Sequence, residues 1–348
     1  MKVKNIIYLL ALLITGTLSS CIEEDKFRNS PQGNFDALWS IIDERYCFFE
    51  HAEEEFGLNW NDTYTKYAPL VEKAESNAEL FDIYGNMLRE LRDGHVNLTS
   101  IYGTTYYRDW HLDHPENFSD SIQRNYLGND FRLTNGIKYS TLLPDSIGYI
   151  YVESFASGFN EDNIAVMLLR LAKMKGIILD IRNNGGGMLT AAESLAGHFT
   201  SEKRHCGYIQ HKTGKGHNDF SSPEPLYIEP ANVVWGKPVV LLTNRGVYSA
   251  ANHFTMLMKP LPQVIVAGDK TGGGSGMPLN STLPNGWSVR FSACPILDIE
   301  GRHTEFGIEP HKKVHMTQAD WDKGRDTIIE RAKEIITALY DKNNEQKD

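Results

Sequence analysis

The segment Gly176-Ile-Ile-Leu-Asp180 constrains this chain more than any other, because it shows no polar–apolar alternation and runs into a glycine loop from Asn183 to Gly187. A short apolar run of this kind reads as a strand buried within a sheet. Further strands are expected at Ile147 to Glu153, Lys237 to Thr243, Gln263 to Ala267 and Trp287 to Ala293. Asn163 to Met174 lies between the first two strands, with apolar residues at helical spacing. Strands alternating with amphipathic helices predict an α/β core, here over residues 146–340. Ser249 opens the helix after the Lys237–Thr243 strand. A last helix from about Asp326 to Tyr340 turns Ile329, Ala332, Ile336 and Leu339 inward, and residues 341–348 read as a polar tail.

The first part of the chain follows a different pattern. Asn34 reads as the N-cap of a helix with Phe35, Leu38, Trp39, Ile42 and Tyr46 along one face. Periodic stretches around Tyr64, Tyr67 and Val71, and then Leu80, Tyr84, Met87, Leu88 and Leu91, extend this into a small helical N-terminal domain over residues 34–99. Residues 100–145 form an aromatic-rich, turn-rich connecting segment to which the pattern assigns no element. The whole chain, at 348 residues, suits one large or two modest domains. Its formal charge of −10 comes with no basic stripe, so a nucleic-acid partner is excluded.

Lys2 and Lys4 precede an apolar run from Ile6 to Ile14, too short to span a bilayer, so residues 1–20 read as a signal peptide. Leu18-Ser19-Ser20-Cys21 resembles a bacterial lipobox, which implies cleavage before Cys21 and its lipidation. The acidic patch Glu23-Glu24-Asp25 resembles a lipoprotein surface-export signal or, equally, a solvated tether. Residues 21–33 are thus expected to tether the protein by a lipid anchor to a bacterial envelope membrane, the outer one, facing periplasm or surface. Cys47, Cys206 and Cys294 match no metal-site spacing and read as buried thiols.

Three segments could carry chemistry: Leu91-Arg-Asp-Gly-His95-Val-Asn-Leu98, Leu179-Asp-Ile-Arg-Asn-Asn-Gly-Gly-Gly187, and Leu241-Leu-Thr-Asn-Arg-Gly-Val-Tyr-Ser249-Ala-Ala-Asn-His-Phe254. A buried strand ending in glycines leaves backbone N–H groups free where a substrate main chain can approach, as an oxyanion hole requires. A serine at a helix N-terminus presents its hydroxyl where the helix dipole favours an anionic intermediate. A histidine from another part of the chain could take the serine proton. Alone, Ser249 reads more readily as an N-cap than as a nucleophile, and His95 as a packed or loop histidine.

Together with Gly268-Asp-Lys-Thr271-Gly-Gly-Gly274 and the closing stretch Leu283 to Pro310, these motifs resemble, in order, the C-terminal processing (tail-specific) and tricorn serine peptidases. The resemblance spans about residues 34–315. It implies a crotonase/Clp-protease-like core of spiralling β and α elements, acting through an acyl-enzyme on peptide or unfolded-protein substrates, with no metal or cofactor. Ser249 matches the family nucleophile. Its own N–H, with that of Gly185 or Gly186, would form the oxyanion hole. The tail-specific branch takes its base from a lysine at the position of Gly274, so the lysine is absent here, and Lys270 is a poor substitute. The tricorn branch uses a histidine and a glutamate, matched by His95 and Glu305. In tricorn a serine precedes that histidine, where this chain has Gly94. The implied relay is Ser249–His95–Glu305.

Other readings stay open. His253, one helical turn beyond Ser249, reads as a packed residue, and Glu309 could replace Glu305. His111, Asp113 and His114 could hold a metal but read as a loop. Between His95 and the core there is no room for the roughly ninety residues of a PDZ domain. The alternative function is a catalytically silent lipoprotein that binds peptides or a hydrophobic ligand. No S-x-x-K or G-x-S-x-G motif supports a penicillin-binding protein or an esterase. The oligomeric state cannot be read from the sequence.

Overall fold

The computed structural model describes residues 27–112 and 114–345. Helices α1 (Pro31–Arg45), α2 (Phe49–Phe56), α3 (Trp60–Val71) and α4 (Asn77–Arg89) come first. Strands β1 (Asn97–Ser100) and β2 (Gly103–Thr104), helix α5 (Asp120–Leu127) and strands β3 (Arg132–Thr134), β4 (Ile137–Leu142) and β5 (Ile147–Val152) follow. Then come α6 (Glu161–Leu171), β6 (Gly176–Asp180), α7 (Leu189–Gly197), β7 (Arg204–Ile209), β8 (Glu224–Ile228) and β9 (Val239–Thr243). The chain closes with α8 (Ala250–Met258), β10 (Val264–Gly268), β11 (Gly276–Thr282), β12 (Ser288–Asp298), β13 (Lys312–Lys313), α9 (Gln318–Trp321) and α10 (Thr327–Glu345).

Seven strands form the main sheet in the order β13-β10-β9-β6-β5-β4-β3, parallel from β13 to β5 and antiparallel at the β4–β3 edge. Every residue of β5, β6 and β9 is buried, because helices cover both sheet faces. On one face α10 packs Ile328, Ile329, Ala332 and Ile336 against Ile178, Val240 and Leu242; each isoleucine so buried contributes about 1.5–3 kcal/mol. On the other face lie α6, α7 and α8. The second sheet, β2-β1-β12-β7-β8 with β11 on β12, is antiparallel.

The fold corrects several expected boundaries. Ser30, not Asn34, caps α1: its hydroxyl accepts the Gly33 N–H at 3.1 Å, and Pro31, with no N–H to satisfy, begins the helix. Residues 31–33 therefore belong to the first turn rather than to a tether. Asn34 is buried and its Oδ1 accepts the Asn285 N–H at 3.1 Å. The N-terminal helices close no core of their own. Phe35, Leu38 and Tyr84 share one hydrophobic cluster with Val289, Phe291 and Ala293 of β12. Residues 100–145 supply β3 and β4 to the main sheet, and residues 341–345 continue α10. The expected signal peptide and Cys21 lie outside the described residues.

Candidate active site

Strand β9 ends at the carboxyl edge of the sheet, and the chain crosses Asn244–Tyr248 to reach Ser249 at the start of α8. Three backbone bonds hold the crossing: Tyr248 N–H to Asn184 O at 3.0 Å, Ser249 N–H to Gly273 O at 2.8 Å and Gly272 N–H to Val247 O at 2.8 Å. They hold Ser249 at φ 56°, ψ −122°, a region that costs a residue with a side chain about 1–3 kcal/mol. Ser249 makes no capping hydrogen bond. Its Oγ lies 3.0 Å from His95 Nε2, within hydrogen-bond reach.

His95 arrives from the turn after α4. Asp93 Oδ1 accepts the His95 backbone N–H at 2.6 Å, and Asp93 Oδ2 accepts the Ser292 hydroxyl of β12 at 2.7 Å. The histidine loop is thereby pinned to the second sheet. The imidazole is buried, and its Nδ1 makes no hydrogen bond. Burial lowers the His95 pKa from its ordinary value; the Asp93 charge opposes this and Arg290 adds to it.

Glu305 does not complete the expected relay. Its Oε2 accepts the Ser275 N–H at 2.7 Å and the Gly276 N–H at 3.2 Å, and no bond joins it to His95. Burial first, then the neighbouring Asp93, hold its pKa well above the ordinary carboxyl value. Asp93, inside the Leu-Arg-Asp-Gly-His motif but not singled out from sequence, is the carboxylate bonded to the His95 loop.

The free backbone N–H groups near Ser249 also differ from those expected to form an oxyanion hole. The Ser249 N–H is taken by Gly273 O, and the Gly186 N–H is taken by Asn184 Oδ1 at 2.9 Å. Among the described residues, the N–H groups of Gly185 and Ala250 have no acceptor. Gly186 has its Cα so close that an added Cβ would sit 2.8 Å from Ser249 Cβ and 2.9 Å from Ala250 N. Ala250 was legible in principle, since the first N–H of any helix lacks an intrahelical partner.

Tyr248 accounts for both departures from the family pattern. Its ring stacks on Trp110 (centroids 4.7 Å apart, 13° between planes) and packs 5.0 Å from the His95 ring. A Cβ at Gly94 would lie 2.8 Å from the Tyr248 hydroxyl, and one at Gly274 would lie 2.5 Å from Tyr248 Cζ. Both positions have room for glycine alone, and a lysine at 274 would occupy the volume of the tyrosine ring.

The remaining candidates lie apart from the reacting pair or are engaged elsewhere. His253 Nε2 faces Glu193 Oε1 at 3.3 Å, and Glu309 is exposed and paired with Lys313 at 2.9 Å. Lys270 lies beside Gly307 and lines neither cavity at Ser249. Among the described residues no cluster of three or more His, Cys, Asp and Glu could hold a metal; Asp113 and the His111 side chain lie outside them. Two cavities meet at the Ser249–His95 pair. One, of about 80 Å³, is bordered by Leu189, Met277, Pro278 and Ile296. The other, of about 500 Å³, is bordered by Asn97, Tyr106, Trp110 and Gly185.

Residues 146–314 match the model of peptidase family S41, and residues 27–89 match the tricorn protease C1 domain. A crystal structure of a candidate peptidase from Parabacteroides merdae ATCC 43184 is 49% identical, with a TM-score of 0.84, over 89% of this chain and 97% of that one. Mature CPAF shares the fold at 12% identity and a TM-score of 0.71, over 90% of this chain and 98% of its own. The carboxy-terminal processing protease CtpA of Bacillus subtilis is 27% identical over 51% of this chain, a stretch that spans only 37% of CtpA. With the α/β core, the helical N-terminal region and both family segments in place, the chain belongs to peptidase family S41.

Proposed function

We propose that this protein is a serine peptidase that cleaves peptide bonds of unfolded or envelope polypeptides through an acyl-enzyme on Ser249. The observation that carries the reading is the 3.0 Å approach of Ser249 Oγ to His95 Nε2. His95 Nε2 takes the hydroxyl proton as Oγ attacks the substrate carbonyl carbon. The carbonyl π electrons move to oxygen, and the N–H groups of Gly185 and Ala250 receive the oxyanion. As the tetrahedral intermediate collapses, the C–N bond breaks and His95 returns the proton to the leaving amine. Water then attacks the ester by the same steps and frees Ser249. Asp93 holds the His95 loop in register, and its negative charge favours the imidazolium that forms. Glu305 has a positioning role through the 275–276 backbone.

A neutral fluorophosphonate probe tests the nucleophile. It should label the native protein and not Ser249→Ala, and turnover should fall about a thousandfold or more in both Ser249→Ala and His95→Ala. Lys270→Ala should keep turnover. A native protein that resists labelling under all conditions would favour the silent binder instead.

The protein is further proposed to act at the envelope, tethered through Cys21; the signal-peptide pattern and the lipobox-like Leu18 to Cys21 support this. Cys21→Ser should abolish incorporation of an alkyne-tagged fatty acid. Persistent incorporation in that variant would remove the anchor assignment.

A further inference from the structure

Arg290 is a cation beside the Ser249–His95 pair with no hydrogen-bond or ion-pair partner among the described residues. It lies on β12 with Asn97, two residues beyond His95, opposite it on one side and Asn280 opposite it on the other. Its neighbours Val289 and Phe291 are fully buried, so the period of two turns Arg290 outward. Its side chain forms no ion pair or hydrogen bond among the described residues, and it borders both cavities that meet at Ser249. The larger cavity holds a second cation, Arg108, stacked over Tyr106 at 4.7 Å. Among the described residues no Asp or Glu borders either cavity, in a chain whose formal charge is −10. The described cavity walls therefore present cations to a substrate, while the nearby carboxylates Asp93 and Glu305 lie buried behind them.

We infer that Arg290 is a specificity residue that binds a carboxylate of the substrate next to the scissile bond, so that the peptidase proposed above favours acidic peptides and disfavours basic ones. Two sources present the same group: the free α-carboxylate of a chain end, and the side chain of Asp or Glu. An exposed guanidinium suits either, because its planar fork donates two parallel N–H bonds to a carboxylate. The field of Arg290 also opposes the charging of His95. A bound carboxylate cancels that field while the imidazolium forms, so acidic substrates gain in the chemical step as well as in binding.

The inference rests on the peptidase reading, but it can be tested without turnover. Dissociation constants would be measured on Ser249→Ala protein for two matched peptide pairs, one with Glu against Gln beside the cleavage position, the other with a C-terminal acid against the amide. At least one acidic member should bind about tenfold more tightly. That ratio should collapse toward one in Ser249→Ala/Arg290→Gln and be largely kept in Ser249→Ala/Arg290→Lys. The pair that shows the preference identifies the carboxylate. No preference in either pair, or a preference that survives Arg290→Gln, overturns the inference. Labelling of native Ser249 by the neutral fluorophosphonate reports separately on the peptidase reading, so either can fail alone.

Discussion

Two regions reached from the end of the same strand, β6, treat their polar groups in opposite ways. In the first, Arg182 is fully buried, and its Nε and Nη2 donate to Asp180 at 2.9 and 2.6 Å. Its Nη1 donates to Asn117 O at 3.1 Å and lies 2.9 Å from Asp326 Oδ2, close enough for an ion pair though not aligned for a hydrogen bond. Asp326 Oδ1 meanwhile accepts two N–H groups at the start of α10. A few residues on, the chain reaches the second region. There Gly185 and Ala250 offer unused donors, His95 Nδ1 has no partner, and Ser249 holds a strained backbone. Paired charges anchor the sheet to α10. Unpaired groups a short distance away are free to act on a substrate, and the packing around them bears the cost.

The largest effect should come from breaking the paired region. Arg182→Met leaves Asp180 and Asp326 buried without their cation and should cost about 3–5 kcal/mol, read as a lower urea midpoint. A midpoint within error of the native one would mean that the cluster is not what anchors α10. A smaller effect is expected at Gly274→Ala, which places a Cβ against Tyr248 at a backbone φ of 78°. Backbone strain of about 1–3 kcal/mol should accompany a fall in kcat/KM, because the displaced Tyr248 ring packs on His95. Unchanged kinetics would show that Tyr248 does not hold the imidazole.

The smallest effect is a displacement along the pH axis. In the proposed mechanism neutral His95 is the competent base, and burial favours the neutral form, so the acidic limb of kcat/KM should lie below the ordinary histidine value of 6.5. Asp93 raises the His95 pKa. Asp93→Asn removes that charge while keeping an oxygen for the His95 N–H, so the limb should move further toward acid, with a reduced maximal rate. A limb that moves toward alkali would show that Asp93 does not act on His95 through its charge.

Much of the fold could be read locally. Buried strands β5, β6, β9 and β10 each announce themselves as short apolar runs, and α10 by its inward isoleucines. The β3–β4 hairpin escaped notice although Asn135-Gly136 separates its strands. The structure places these residues at φ 46° and 80°, which suits a two-residue hairpin turn. Polar residues at alternate positions of β4 hid its strand character among the turns around it. The N-cap of α1 was misplaced because Asn34 and Ser30 are both capping residues, and only the Asn285 contact shows why Asn34 serves elsewhere.

Residue type and short-range spacing were enough for the core strands β5, β6, β9 and β10, for the place of Ser249 at a helix start and for the glycine at 274 where the resemblance expects a lysine. Tertiary structure decided what surrounds Ser249. His95 stands 154 positions away from it in sequence, and local pattern carries no information about that approach. Whether an N–H is free, or a carboxylate is already engaged, depends on which groups the packed chain leaves unpaired. For that reason Ala250 and Asp93 emerged, the Ser249 N–H and Glu305 proved to be engaged elsewhere, and Arg290 was found facing the site.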